Sequence, residues 1–250
     1  MQYKISARYY DELHFKESEL LSEKLFNYFD CKNNLNFNIL DLGCGTGTVL
    51  HELKKLGIVG FMQGLDLSEE MIREARKKDT TINFKTSDVL QFDNSYQAFF
   101  DLVLCTHNVV NYLHPDNLNA FFKRISLALN SKGLAYVDFD CEYDFISLWP
   151  NYVQIDKGEG WEVCRSNYYD SKSRKGTEKQ DWKITAKENN SVVVTETHTL
   201  YPITPSSIVE VAKSQDLRLI EFINPNTFKK SSENIDREIM LAGVFKKVYR

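Results

Sequence analysis

Between Asn38 and Phe139 the chain alternates short apolar runs with amphipathic stretches, and this alternation restricts the possible folds more than any other feature of the sequence. The runs are Asn38–Leu42, Phe61–Leu65, Ile82–Thr86, Phe100–Cys105 and Leu134–Phe139. Several are continuously apolar, as expected of strands buried on both faces. Thr48–Leu56, Glu69–Lys78 and Pro115–Leu129 carry the helical period between them. Gly57 ends the first of these helices, and Ser68 caps the second, with Glu69 and Glu70 in its first turn. Pro115 opens the third and Gly133 follows its end. Strands alternating with helices predict a parallel sheet covered on both faces, a doubly wound α/β unit over residues ~35 to ~140.

The pattern then changes. Glu162–Tyr169, Asp181–Lys187 and Ser191–Leu200 are rich in Val, Thr, Tyr and Trp, and the polar segments SKSRKGTEKQ and ENN read as the turns between them. This predicts an antiparallel β insertion after the fifth strand. A helix returns at Ser206–Ser214, and Leu217–Ile223 and Ile239–Lys247 read as two final strands joined by the charged loop Lys229–Glu238.

Composition removes several function classes. With 42% hydrophobic and 26% charged residues the chain is an ordinary globular one, and its net charge of −4 makes a polybasic surface for nucleic acid or anionic membrane an unexpected theme, a local patch apart. No stretch approaches a spanning helix, and the opening MQYKISARYYDELHFKESEL has no signal-peptide core, so a cytoplasmic protein is expected. The five cysteines, Cys31, Cys44, Cys105, Cys141 and Cys164, are scattered without a CxxC pair, which suggests reduced thiols and neither a disulfide framework nor a zinc site.

The chemistry is carried by the segment Asp41-x-Gly43-x-Gly45-x-Gly47, which leaves a strand and opens a helix. Glycines there allow a tight turn and a close approach of a ligand to the main chain. A dinucleotide fingerprint needs G-x-G-x-x-G; here the third glycine falls one residue early and Thr48 stands in its place. This points to a ligand without a pyrophosphate. Asp66 ends the second strand about 20 residues on, where a carboxylate can accept both hydroxyls of a ribose. Asp88 follows the third strand, placed to receive a purine amino group.

In this order and spacing ILDLGCGTGT, GLDLSEEMI, SDVLQF and FDLVLCTHNVVNYL resemble the successive motifs of class I S-adenosylmethionine-dependent methyltransferases. The resemblance implies a Rossmann-like, doubly wound seven-stranded sheet with its last strand antiparallel, and S-adenosyl-L-methionine as cofactor, with S-adenosyl-L-homocysteine as product. On this reading residues 1–145 and 202–250 form the cofactor-binding domain, and 146–201 a β-rich cover for the substrate. The resemblance further implies that Gly43, Cys44, Gly45 and Gly47 face the methionine and ribose portions, with Asp41 nearby. Asp66 would hold the ribose diol, Leu67 and Met71 would flank the adenine, and Asp88 would meet its amino group beside Val89. Cys105, Thr106 and His107 would lie beneath the methionine part. The segment ARYYDELH resembles the opening helix of small-molecule methyltransferases, in which a tyrosine closes over the cofactor; Tyr9 and Tyr10 are the candidates, and packing aromatics are the alternative.

Candidates on the acceptor side come from two places. After the fourth strand stands THNV, where DNA and some protein N-methyltransferases carry an (Asn/Asp)-Pro-Pro-aromatic tetrapeptide, so methylation of a planar base amine is disfavoured. The loop after that strand carries Thr106, His107, Asn108, Asn111 and Tyr112 as acceptor-side candidates; His107 is a candidate general base, or else a histidine that lines the pocket or hydrogen-bonds locally. In the insertion, Glu196 and His198 share one strand face near Trp161, Tyr168, Tyr169, Trp182 and Tyr201; His198 is a candidate base or anchor, or part of a solvated face. The same pair could supply two metal ligands, but no third is evident. Ser171–Lys179 reads as a solvated hairpin turn or as a contact for a phosphate-bearing substrate. The expected partner is a small-molecule acceptor, such as a nucleotide-linked sugar, methylated on an amine or hydroxyl, with no nucleic acid or membrane; monomer and homodimer stay open. An RNA or protein methyltransferase, a non-catalytic S-adenosylmethionine-binding module and a dinucleotide oxidoreductase are the competing readings.

Overall fold

The computed structural model describes residues 3, 5–91, 97–185, 191–231 and 234–248. Phe92 of the third-strand motif, residues 186–190 of the insertion with its ENN turn, and residues 232 and 233 of the charged loop lie outside the described residues, as do 1, 2 and 4 of the opening segment.

The first sheet contains β1 (Ile39–Leu42), β2 (Met62–Asp66), β3 (Asn83–Thr86), β4 (Phe100–Cys105), β5 (Leu129–Asp140), β10 (Leu217–Ile223) and β11 (Met240–Lys247) in the order β10-β11-β5-β4-β1-β2-β3. β1 to β5 pair in parallel, and β11 runs antiparallel to both β5 and β10. This is the Rossmann-like seven-stranded sheet with one antiparallel strand. Its two faces are both buried, and successive residues divide between them: Leu102 and Leu104 of β4 pack on one side, Val103 and Cys105 on the other. The first side is covered by α1 (Tyr10–Tyr28), α2 (Thr48–Lys55) and α3 (Glu69–Lys78), through Leu25, Leu50 and Ile72. The other is covered by α4 (Leu118–Ala128) and α6 (Pro205–Ser214), through Phe121, Ile125 and Ile208. Among the described residues no helix is long and apolar enough to cross a membrane.

Local chemistry sets the element ends. The Ser68 hydroxyl accepts from the Met71 N–H and starts α3 at the expected residue. The third helix is shorter than expected: a 3-10 turn covers Pro115–Asn117, the α-helix stops at Ala128, and Gly133 lies inside β5. The reason is a bulge. Leu129 pairs with Phe100, the register then jumps to Leu134 opposite Leu102, and Asn130 turns aside to bond Asp101 at 2.6 Å.

The second sheet is antiparallel, in the order β6-β7-β8-β9, from β6 (Val153–Gly158), β7 (Trp161–Asp170), β8 (Lys175–Thr185) and β9 (Ser191–Leu200). Two of its features were not legible in advance. β6 and the short α5 (Glu142–Ser147) gave no signal, and the expected polar turn shrinks to residues 171–174 because β8 begins at Lys175. The inward residues of β8 here are Gly176, Glu178 and Gln180, so the strand lacks the apolar alternation that marks one.

The N-terminal segment lies under this second sheet. Tyr9 stacks on Trp182 at a centroid distance of 5.7 Å and meets Trp161 at 5.8 Å. Glu196 accepts from Ile5 N–H at 2.7 Å and from the Ser6 hydroxyl at 2.6 Å, while Trp161 Nε1–H donates to Glu12. Asn111 joins the two sheets: its amide donates to the Asp140 and Tyr201 carbonyls and its oxygen accepts from Asp140 N–H. Because Trp182 is fully buried in the small cluster that carries the second sheet, Trp182→Ala is expected to cost about 3–5 kcal/mol, read from the urea unfolding midpoint.

Candidate active site

A cavity of about 710 Å³ opens at the carboxyl ends of β1, β2, β3 and β4. This is where an open α/β sheet leaves room for a ligand, because the helices that follow adjacent strands diverge there.

The floor is the glycine turn. Gly43, Gly45 and Gly47 all have positive φ, +78°, +52° and +73°, a region that other residues occupy at a cost. The three serve different purposes. A Cβ on Gly43 would come 2.5 Å from Val109, and one on Gly47 would come 2.5 Å from Phe84, so these two permit close packing. A Cβ on Gly45 would meet nothing within 4 Å; it would protrude into the cavity. The N–H groups of Gly43 and Cys44 both donate to the Leu65 carbonyl, at 2.7 and 2.9 Å, that of Gly47 to the Cys44 carbonyl, and that of Gly45 to Asp66. A turn whose donors are engaged in this way is no cradle for a pyrophosphate.

The lining is acidic. Asp66, Glu69, Glu70 and Asp88 contribute carboxylates, and no lysine or arginine belongs to it among the described residues. Asp66 accepts from Gly45 N–H at 2.9 Å and Ser68 N–H at 2.8 Å; its carboxyl is nevertheless raised, because desolvation outweighs these bonds. Asp88 accepts from Leu90 N–H at 2.8 Å. Leu67, Met71 and Val89 complete the side nearest these acids. Beneath the floor, Asp41 is fully buried and neither carboxylate oxygen has a hydrogen-bond partner among the described residues. Desolvation first, then the charges of Asp66 and Asp138, push its carboxyl up to about 8. A cationic ligand above such a floor would offset these unfavourable terms, and a sulfonium bearing an adenosine fits the acidic lining, the open space at Gly45 and the strand-end carboxylates.

The residues after β4 form the opposite wall. Thr106 and His107 line the cavity, whereas Cys105 is buried in the core behind them. His107 and Asn108 occupy the left-handed region in succession, at φ +58° and +52°, which is costly for non-glycine residues. Asp138 holds them there by accepting both backbone N–H groups, and the Asn108 amide donates to Asp140. His107 Nε2 lies 3.1 Å from the Ser18 hydroxyl of α1, and desolvation pushes its imidazole down to about 4, so it is neutral at pH 7. A group this weakly basic serves better as a wall and hydrogen-bond partner than as a proton acceptor.

The adjacent tyrosines of α1 part company. Tyr10 lines the cavity, and Tyr9 turns away to the tryptophans of the second sheet. Cys44 lines the cavity with a thiol raised by desolvation and the neighbouring acids. His198 is fully buried and stands outside the cavity wall; its ring lies 4.8 Å from that of Tyr3 and 6.0 Å from that of Tyr112, both of which line it. None of the run Ser171–Lys179 lines this cavity, and its Arg174 pairs with Glu142 at 2.8 Å.

Several participants were missed by sequence reasoning. Tyr3 and Ser18 line the cavity, and the Tyr3 hydroxyl lies 2.7 Å from that of Tyr112, the candidate from the loop after β4 that also lines it. Asp11 of α1 accepts from Thr46 and Thr48 and pairs with Lys78 of α3 at 2.7 Å, fastening the helix over the glycine turn. Each of these reaches across elements far apart in the chain, so no local pattern could have flagged it.

Two tests follow from this geometry. Gly45→Ala should fold, with the left-handed backbone costing about 1–2 kcal/mol, yet lose S-adenosylhomocysteine binding in calorimetry; Gly43→Ala and Gly47→Ala should lose more stability because their methyl groups meet Val109 and Phe84. The Asp41 carboxyl holds a proton in the folded protein that the unfolded chain releases near pH ~4. Its contribution to stability is therefore fullest below that pH and is lost as pH rises toward about 8. Urea midpoints of ligand-free protein at pH 5 and pH 8 should fall further in the wild type than in Asp41→Asn.

Comparison with known proteins agrees with this geometry. The family model described as a methyltransferase domain matches residues 39–133, the span from β1 into β5. The carboxy-S-adenosyl-L-methionine synthase of Campylobacter fetus subsp. fetus (strain 82-40) is 31% identical over 171 residues, which are 64% of this chain and 68% of that protein. Two further curated relatives are matched over about half their length. Among solved structures, an S-adenosylmethionine-dependent methyltransferase from Clostridium acetobutylicum ATCC 824 superposes with a TM-score of 0.77 at 21% identity, covering 90% of this chain and 91% of that one. The S-adenosylmethionine-bound amino pentose methyltransferase CalS10 from Micromonospora echinaspora superposes with a TM-score of 0.67 at 18% identity, covering 93% and 91%. The glycine turn, the strand-end acids, the sheet order and these matches together show that the chain belongs to the class I S-adenosylmethionine-dependent methyltransferase family, with S-adenosyl-L-methionine as its cofactor.

Proposed function

We infer that this protein transfers a methyl group from S-adenosyl-L-methionine to an amine or hydroxyl of a small molecule. The observation that carries the reading is a second, smaller cavity of about 110 Å³ beneath the second sheet, which shares Tyr3, Tyr10 and Tyr112 with the large one. The reactive part of an acceptor placed there would lie next to the cofactor. The cofactor supplies a methyl group on a good leaving group, so the protein's part is to align the partners and keep water away. Asp66 and Asp88 would hold the adenosine, the Gly43–Gly47 backbone the methionine side, and the tyrosines the boundary between donor and acceptor. The solved structures of an amino pentose methyltransferase and a sugar N-methyltransferase share this fold, which supports a sugar-like acceptor such as a nucleotide-linked sugar. The related carboxy-S-adenosyl-L-methionine synthase points to another chemistry. A carboxylated sulfonium would call for a cation near its extra carboxylate, and the acidic lining favours plain methyl transfer.

The reading is tested by incubating the protein with labelled S-adenosylmethionine and either a pool of small metabolites or bulk tRNA and denatured protein. Label in the small-molecule fraction with release of S-adenosylhomocysteine is expected; label only in the macromolecules, or no release, would defeat it. Asp66→Asn should weaken cofactor binding by about 1–3 kcal/mol through loss of charged hydrogen bonds, measured by calorimetry. His107→Gln should leave the pH–rate profile between pH 6 and 9 in place, because the imidazole is already neutral across that window.

A further inference from the structure

The underside of the second sheet carries a polar strip that packing does not use. Asn167 of β7, Glu178 of β8 and His198 of β9 stand directly opposite one another in the register, so the three side chains share one face. The row beside them is Tyr169, Gly176 and Leu200, which pack with Phe145 and Trp149 in the way an inner face ordinarily does. The strip is left incomplete. Asn167 Oδ1 and both ring nitrogens of His198 are buried without a hydrogen-bond partner among the described residues. Glu178 accepts one bond, from the Gln180 amide at 2.6 Å. Two basic side chains also line the chamber: Arg165, which pairs with Asp156 through one terminal nitrogen while its Nε is buried without a hydrogen-bond partner among the described residues, and His14, which pairs with Glu17. A buried polar group without a partner is costly, and the three atoms of Asn167 and His198 mark the row as the part of the inner face that packing leaves unsatisfied.

Of the strip, Glu178 lines the small chamber; Asn167 and His198 flank it in the same row, and His198 lies behind the rings of Tyr3 and Tyr112, which form the wall shared with the cofactor cavity. We propose that Glu178, together with Tyr3, Tyr10 and Tyr112, forms the acceptor-recognition site, with Asn167 and His198 as its neighbours in the row, and that the acceptor is a small amine bearing neighbouring hydroxyls, its nitrogen facing Glu178 and its hydroxyls facing the tyrosines. This rests on the small-molecule methyltransferase reading above.

The chemistry selects nitrogen over oxygen. Methyl transfer to a neutral amine makes one N–C bond and breaks one S–C bond, whose electron pair stays on sulfur. The nitrogen gains the positive charge that sulfur loses, and the proton it later sheds goes to solvent. A carboxylate and three tyrosine rings suit that developing cation. A hydroxyl acceptor would instead need a strong base; His107 and His198 are made less basic by burial, and His14, which also lines the chamber, is paired with Glu17 at 3.1 Å.

The test uses matched probes with the intact protein and S-adenosylmethionine: D-glucosamine, 3-amino-1,2-propanediol and ethanolamine against D-glucose, glycerol and ethylene glycol. Release of S-adenosylhomocysteine is expected with at least one amine, and about tenfold or more slower with its hydroxyl counterpart. Glu178→Gln should raise the KM for that amine about 10- to 100-fold, as loss of a charged hydrogen bond would, while S-adenosylhomocysteine affinity by calorimetry stays unchanged and so reports an intact fold. Equal turnover of the two sets, an unaltered KM in Glu178→Gln, or amines that neither turn over nor show saturation-transfer signals with the S-adenosylhomocysteine-loaded protein would overturn the assignment. Methyl label confined to tRNA or protein would instead overturn the small-molecule reading itself.

Discussion

The end of β2 holds the site together. The Leu65 carbonyl takes the N–H groups of Gly43 and Cys44, and the next residue, Asp66, takes the N–H of Gly45. One strand terminus thus fixes the bend that leaves β1, and the same carboxylate anchors the start of α3 through Ser68 N–H. The left-handed conformations of the glycines become affordable because every bend is tied to a neighbouring strand, and Phe84 of β3 fills the space that the missing Gly47 side chain leaves. Remove that pairing and the floor of the cavity has no reason to keep its shape.

A second layer of constraint comes from the N-terminus, which lies between the two sheets. Tyr9 and Tyr10 are adjacent, yet one packs on Trp161 and Trp182 and the other faces the cavity. Glu196 fastens the segment from above, and Asp11 fastens it from below through Thr46, Thr48 and Lys78. The same few residues thereby roof the cofactor cavity and support the cover of the smaller chamber. Two of the three tyrosines that divide the cavities, Tyr3 and Tyr10, belong to this segment, and the third, Tyr112, meets Tyr3 through its hydroxyl.

What the sequence revealed follows from how local each signal is. The glycine turn, Asp66, Asp88 and the Ser68 cap are each written within a strand–loop–helix stretch, and the strands of the first sheet announce themselves by apolar runs that must be buried on both faces. Tyr3, Ser18, Asp11 and Lys78 are contributed by helices and a terminus that meet the site only after folding, so nothing in their neighbourhoods marks them. The beginning of β8 was hidden for a different reason. Gly176, Glu178 and Gln180 point inward where a strand would ordinarily place apolar side chains, and the segment reads as a turn. The residue pattern that defeats the strand prediction is the one that leaves Asn167, Glu178 and His198 without full hydrogen bonding; local rules tend to fail where function has displaced them.

Charge links the two cavities. Asp41 is buried with unpartnered oxygens, and desolvation pushes the carboxyls of Asp138 and Asp140 up to about 7, even though each receives hydrogen bonds from the turn after β4. Asp66, Glu69, Glu70 and Asp88 surround the space above, and Glu178 stands beyond the tyrosines. A positive charge on sulfur is thus favoured on one side of the neck, and a positive charge on nitrogen on the other. On the proposed reading, passing the cation from sulfur to nitrogen carries it from the acidic lining toward Glu178, whose charge faces that of Arg165 in the same chamber, so an amine acceptor keeps a carboxylate beside the positive charge as the methyl group crosses.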